Sequence, residues 1–112
     1  MSQQTRRDRL VTLRRELHRH PEPAWREFYT TARIVEELEA VGVDEIHAGP
    51  DVLAADERMG VPESAALDEW LSRARERWAA EHGTDRSELF DRMAGGHTGA
   101  VAVLRRGEGP TV

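Results

Sequence analysis

The chain of 112 residues contains no cysteine, which excludes disulfides, thiolate catalysis and sulfur-ligated metals. It contains no lysine either: all 16 basic side chains are arginine, so a lysine nucleophile or Schiff base is unavailable. Aromatic residues are scarce, only Trp25, Phe28, Tyr29, Trp70, Trp78 and Phe90, and the core is expected to be mostly aliphatic. No apolar run approaches the roughly 20 residues that span a bilayer, and the N-terminus is polar from Ser2 to Arg9. A cytoplasmic chain without a membrane partner is expected. Positive charge is not in excess. With 21 acidic residues against 16 basic ones the net charge is -5, and a phosphate backbone would be repelled over most of the surface, so nucleic acid is not an expected partner. At this length one domain can bury roughly 65% of its unfolded surface, enough for one modest core.

The apolar periodicity predicts four helices. Leu10, Leu13 and Leu17 form one stripe of a helix over 4–19, which Pro21 and Pro23 stop. Trp25, Phe28, Ala32, Val35 and Leu38 predict a second helix over 24–41 with Gly42 as its left-handed cap, packed against the first. Pro62 suits the first turn of a third helix over 62–82, whose Leu67, Trp70, Leu71, Ala74 and Trp78 share one face. Asp85 with Glu88 resembles a capping box and opens a short helix over 85–94, closed by Gly95 and Gly96. Residues 43–47 alternate as a short strand does, and 48–62 read as a loop with a helical turn around 51–56. The apolar run Ala100–Leu104 has the pattern of a strand buried on both faces, and Thr111–Val112 look like the start of another. A buried strand needs neighbours on both edges. The fold class expected is therefore α/β: N-terminal helices and first strands of a larger zinc-peptidase-like catalytic domain, with 1–112 as its mostly helical N-terminal part.

Five histidines raise the question of a metal site. His18 and His20 lie two apart at a helix end, on different sides, and favour the helix dipole and unpaired carbonyls over a metal. His47 ends a strand and His82 precedes a helix-ending glycine; both are expected to be solvated. His97, in Gly95-Gly96-His97-Thr98-Gly99, is a candidate for lining a cleft. That glycine cluster lacks the lysine and following helix of a phosphate loop, and no serine sits in a nucleophile elbow. The pairs Glu36/Glu37 and Asp68/Glu69 read as solvated faces. No catalytic, cofactor-binding or metal-ligating residue is assigned.

The run Arg14-Arg15-Glu16-Leu17-His18-Arg19-His20-Pro21-Glu22, then Trp25, Glu27, Phe28 and the helix ending Glu36-Glu37-Leu38-Glu39-Ala40-Val41-Gly42-Val43, resembles the N-terminus of the two-metal amidohydrolases that include aminoacylases and indole-acetyl-amino-acid hydrolases. Asp56-Glu57-Arg58-Met59-Gly60-Val61-Pro62, Ala74-Arg75 and Gly95-Gly96-His97-Thr98-Gly99-Ala100-Val101-Ala102 narrow the resemblance to its p-aminobenzoyl-glutamate hydrolase branch. It covers about residues 12–112. It implies amide hydrolysis by a water held between two divalent ions, manganese or zinc, with a glutamate moving the proton and p-aminobenzoate and glutamate released. The family's metal ligands and general base come further along than any position here, so the segment is expected to be inactive alone and to bind no cofactor. Its expected partners are the remainder of the catalytic domain and a partner subunit or second copy, with the 62–82 helix shaping either the cleft or that contact. Two alternatives stand beside this. One is a free-standing helical interaction module using the Leu67/Trp70/Leu71/Trp78 face; the other is a small metal-binding protein using the five histidines.

Overall fold

A computed structural model describes residues 2–112. Its elements run α1 (Gln3–Arg19), α2 (Phe28–Val41), β1 (Glu45–Ala48), two turns of 3-10 helix at Gly49–Asp51 and Ala55–Glu57, α3 (Ser64–Glu81), α4 (Ser87–Met93) and β2 (Ala100–Val103). This is a mostly helical segment carrying one two-stranded antiparallel sheet. Ile46 pairs with Ala102 and His47 with Val101.

Several boundaries differ from those expected, each for a local reason. The second helix starts at Phe28 rather than residue 24, because Trp25 adopts a left-handed φ of 64° that no right-handed helix accommodates. What caps it is Glu22. Its carboxylate accepts the Tyr29 N–H at 2.9 Å, the Thr30 N–H at 2.8 Å and the Thr30 hydroxyl at 2.7 Å, placing negative charge at the helix N-terminus. The third helix begins at Ser64, so Pro62 lies ahead of the N-cap Glu63 and outside the first turn. The capping box at α4 is not formed: Asp85 accepts the Ser87 N–H at 2.9 Å and the Ser87 hydroxyl at 2.6 Å, an Asx turn one step before the N-cap Arg86. At its C-terminus α2 ends on Gly42 with φ 87°, whose N–H donates to the Leu38 carbonyl.

The core lies between α2, α3 and α4. Phe28, Tyr29, Ala32, Leu67, Leu71, Ala74, Trp78, Phe90 and Met93 are all buried and in one cluster. Four of these nine are aromatic, against the aliphatic core expected. The few aromatics present sit on inward faces, with Trp78 tilted against Tyr29 at 5.6 Å and edge-on to Phe90 at 6.1 Å. The Leu67/Leu71/Trp78 face is thus interior, and Trp70 packs partly buried beside it. It is not available as the partner-binding surface of an interaction module.

Two elements are poorly covered. Helix α1 buries no residue completely, and Leu10 is 67% exposed. It is tied to α2 by ion pairs, Arg9–Glu37 at 2.9 Å and Arg33–Glu16 at 2.7 Å, more than by the leucine stripe expected to pack there. Strand β2 rests on α2 yet leaves Val101 46% and the following Leu104 54% exposed, so the run is not buried on both faces within this chain. Thr111 and Val112 are exposed and outside any strand. No described helix is long and apolar enough to cross a membrane.

Candidate functional site

Polar chemistry gathers at two places. The first is built around Tyr29, whose ring α2 buries while its hydroxyl reaches the seam between the end of α1 and the end of α3. The hydroxyl lies 2.9 Å from Glu81 Oε2, 2.8 Å from His82 Nε2 and 3.4 Å from Glu16 Oε1. Arg33 donates to Glu16 at 2.7 Å. Arg77 donates to Glu81 at 3.2 Å and to the Glu16 carbonyl at 3.0 Å, while its guanidinium covers the Tyr29 ring at 3.6 Å. His82 stacks on Trp78 with centroids 4.0 Å apart.

These contacts decide the protonation of the cluster. Burial first, and then the hydrogen bond to Glu81, push the Tyr29 phenol far above its ordinary value, so it stays a neutral donor. Burial pushes the Glu81 carboxyl up, but the Tyr29 hydrogen bond and the Arg77 charge outweigh it, and the net shift is downward. Burial works against the Arg33 charge; hydrogen bonds to Glu16 and Glu37 overcome it and raise its pKa.

Glu16, Glu81 and His82 bring three ligand-type atoms within 4.8 Å of one another. The donor set does not fit a divalent ion. Both oxygens of Glu16 and Oε2 of Glu81 already accept hydrogen bonds, and Arg33 and Arg77 supply the positive charge a cation would have to displace. The cluster reads as a neutralised strap holding α1 to the core.

The second place is the turn Gly95–Gly99. Gly95, Gly96 and Gly99 all have positive φ, and the turn is fastened by Gly99 N–H donating to Thr31 Oγ1 at 3.0 Å and His97 N–H to the Met93 carbonyl at 3.0 Å. An added Cβ on Gly96 would stand 3.2 Å from Leu67 and from the Trp25 carbonyl, so this glycine lets two chain segments touch. Arg58 donates to the carbonyls of Ala55 at 3.2 Å and Gly95 at 3.0 Å. Half-buried His97 folds back over Gly95, and burial followed by the Arg58 charge holds its pKa below the ordinary imidazole value.

The other predicted positions scatter. His18 is half-buried and His20 exposed at the end of α1, and His20 lines an open cleft of about 580 Å³ with Arg19, Trp70 and Arg73. His47 is exposed and 3.4 Å from Glu45. His82 departs most from expectation: only 15% of its side chain is exposed, since the chain turns back at the end of α3 and lays the ring on Trp78. The five histidines do not converge, and the one candidate ligand group among the described residues holds a single histidine. Glu36 is not simply solvated either, because its Oε2 is buried without a hydrogen-bond partner. Glu37 pairs with Arg9 and Arg33 and Glu69 with Arg73. Sequence reasoning did not anticipate Tyr29 as a hub or Arg58 as a tie between loops. The first had a faint signal, a tyrosine beside the core stripe of a helix.

No protein-family model matches the chain. It is 40% identical over 100 residues to an indole-3-acetyl-aspartic acid hydrolase of Enterobacter agglomerans, covering 88% of this chain and 21% of that one. Identity to the large-chain relative in Escherichia coli K12, a p-aminobenzoyl-glutamate hydrolase subunit, is 33% over 100 residues, with the same coverage. The crystal structure of an aminobenzoyl-glutamate utilization protein from Klebsiella pneumoniae superposes with a TM-score of 0.77 at 30% identity, over 88% of this chain and 23% of that one. The chain is homologous to the N-terminal segment of these hydrolases. It spans about a fifth of the length of the curated relatives it matches. The Klebsiella structure shows that the same arrangement of helices and strands recurs inside a much longer chain.

Proposed function

We propose that this chain supplies the N-terminal helical segment of an amidohydrolase that cleaves N-acyl or N-aroyl amino acids into a carboxylic acid and an amino acid. The observation that carries the reading is the 40% identity over 88% of this chain to a relative of which it covers 21%. The segment's contribution is structural. Helices α2, α3 and α4 enclose an aromatic core, and the sheet formed by β1 and β2 offers edges to further strands.

The divalent ions that the resemblance implies would activate the attacking water in the full catalytic centre. The Glu16–Glu81–His82 group does not fit them, and no step passes through it. What these residues do is hold α1 in place: Arg33 and Arg77 neutralise the carboxylates, and the neutral Tyr29 hydroxyl fills the gap between them. Remaining partners of the reading are the rest of the catalytic domain and, in the assembled enzyme, a second subunit or copy.

A chimera tests this. Residues 12–112 replace the matching segment of the Escherichia coli hydrolase, and hydrolysis of p-aminobenzoyl-glutamate is measured with manganese or zinc supplied. Retained activity in the chimera, with none from the 112-residue chain alone, supports the reading. A well-folded but inactive chimera, or turnover by the short chain unaided, refutes it.

A further inference from the structure

Beside Trp25 the chain leaves an open cleft of about 380 Å³ lined by Trp25, Leu53, Ala54, Glu57, Arg58 and Met59. Its walls are apolar but unfilled: Leu53 is half exposed and Met59 is 84% exposed. Two features mark it off from ordinary loop surface. Trp25 is the one non-glycine residue with positive φ among the described residues, a conformation that a bulky side chain adopts only when its surroundings enforce it. The enforcing contacts are visible. The Trp25 indole N–H donates to the Met59 carbonyl at 2.8 Å, and the close approach of Gly96 fixes the Trp25 carbonyl.

The second feature is Arg58. Its guanidinium stands 5.6 Å from the Trp25 ring centre and is oriented by the Ala55 and Gly95 carbonyls. Among the described residues it forms no ion pair with a carboxylate, although Glu57 is adjacent in sequence and exposed on the cleft rim. A planar cation anchored through Nε and Nη1 leaves Nη2 and its remaining N–H groups for an external acceptor. One fixed cation on an apolar, aromatic wall suits a monoanion with an apolar body better than a multiply charged phosphate.

We propose that this cleft binds a small carboxylate carried on an aromatic or branched apolar body, the body lying against Trp25, Leu53 and Met59 and the carboxylate meeting the free edge of Arg58. The site goes beyond the amidohydrolase reading and does not rest on it, since it requires neither a metal nor turnover.

The test is an NMR titration of the 112-residue chain with three probes: phenylacetate, phenethylamine with the same ring and opposite charge, and acetate with the same charge and no ring. Phenylacetate is expected to shift the Trp25 indole N–H and the amides of Arg58, Met59 and Gly96, with a Kd on the order of millimolar. Phenethylamine and acetate are expected to bind about tenfold more weakly, the loss of one charge-assisted contact or of the ring contact. Arg58→Gln is expected to weaken phenylacetate about tenfold while leaving the spectrum dispersed. Shifts that avoid Trp25, equal binding of phenethylamine, or unchanged affinity in folded Arg58→Gln would each overturn the proposal. Should Arg58→Gln unfold, the three-probe comparison on the unaltered chain still decides.

Discussion

Tyr29→Phe removes one oxygen from the seam between α1 and α3 and leaves the ring, which is 1% exposed, in its packing. That oxygen is shared by Glu81 Oε2 at 2.9 Å and His82 Nε2 at 2.8 Å. A hydrogen bond to a charged group contributes about 1.5–3 kcal/mol net. Here the figure must be discounted, because Glu81 keeps Arg77 as a partner and is 34% exposed, so water replaces part of the loss. The expected cost is about 1–2 kcal/mol, which for a domain of this size lowers Tm by roughly 4–10 °C. Differential scanning calorimetry at pH 7 measures it. A double-mutant cycle with Glu81→Gln then isolates the pair, and a coupling of at least about 0.5 kcal/mol is expected. A Tm unchanged within about 1 °C, or strictly additive effects in the cycle, would show that the hydroxyl is not the hub of the strap.

Gly96→Ala should cost more than Gly60→Ala: both have positive φ, costing about 1–2 kcal/mol for a side chain, but only at Gly96 does the new Cβ meet atoms at 3.2 Å, so urea midpoints that fall equally would contradict the close approach described. The His97 ring should titrate below its ordinary 6.5, and Arg58→Gln should raise its midpoint only part of the way, since burial is the larger cause. Because the folded pKa is depressed, the contribution of His97 to stability is present above pH 6.5 and is lost as the pH falls through the folded midpoint. A histidine midpoint at or above 6.5 in the NMR titration would refute that placement. The same sign holds for Glu81 lower on the scale: its contribution is present above about pH 4.5 and disappears as the pH falls through the depressed folded value, so urea midpoints should drop on acidification below 4.5.

Much of the local structure was legible in the linear order of residues. Helical periodicity located α1 and α3 to within a few residues, and Gly42 marked its own cap, because turn geometry and side-chain spacing are written locally. The homology to hydrolases was legible as well, carried by the Arg14–Glu22 and Gly95–Ala102 runs. Other features required the chain to fold. The start of α2 depends on Glu22 reaching forward to Tyr29 and Thr30 while Trp25 turns into left-handed space. His82 became a stacked, largely hidden ring only because Tyr29, 53 positions earlier, came to rest against it. Arg58 became an oriented cation through Gly95, 37 positions away.

The sequence by itself determined which segments are helical, which faces are apolar, and what chemistry is excluded, since backbone propensity, periodicity and side-chain inventory belong to each residue and its near neighbours. Only the tertiary structure decided that the aromatics gather into one core, that Glu16, Glu81 and His82 are neutralised by arginines, and that a guanidinium anchored on carbonyls faces an apolar cleft. Hydrogen bonding, desolvation and charge pairing act across a few ångströms of space, and residues dozens of positions apart have no spacing in the sequence that reveals their meeting.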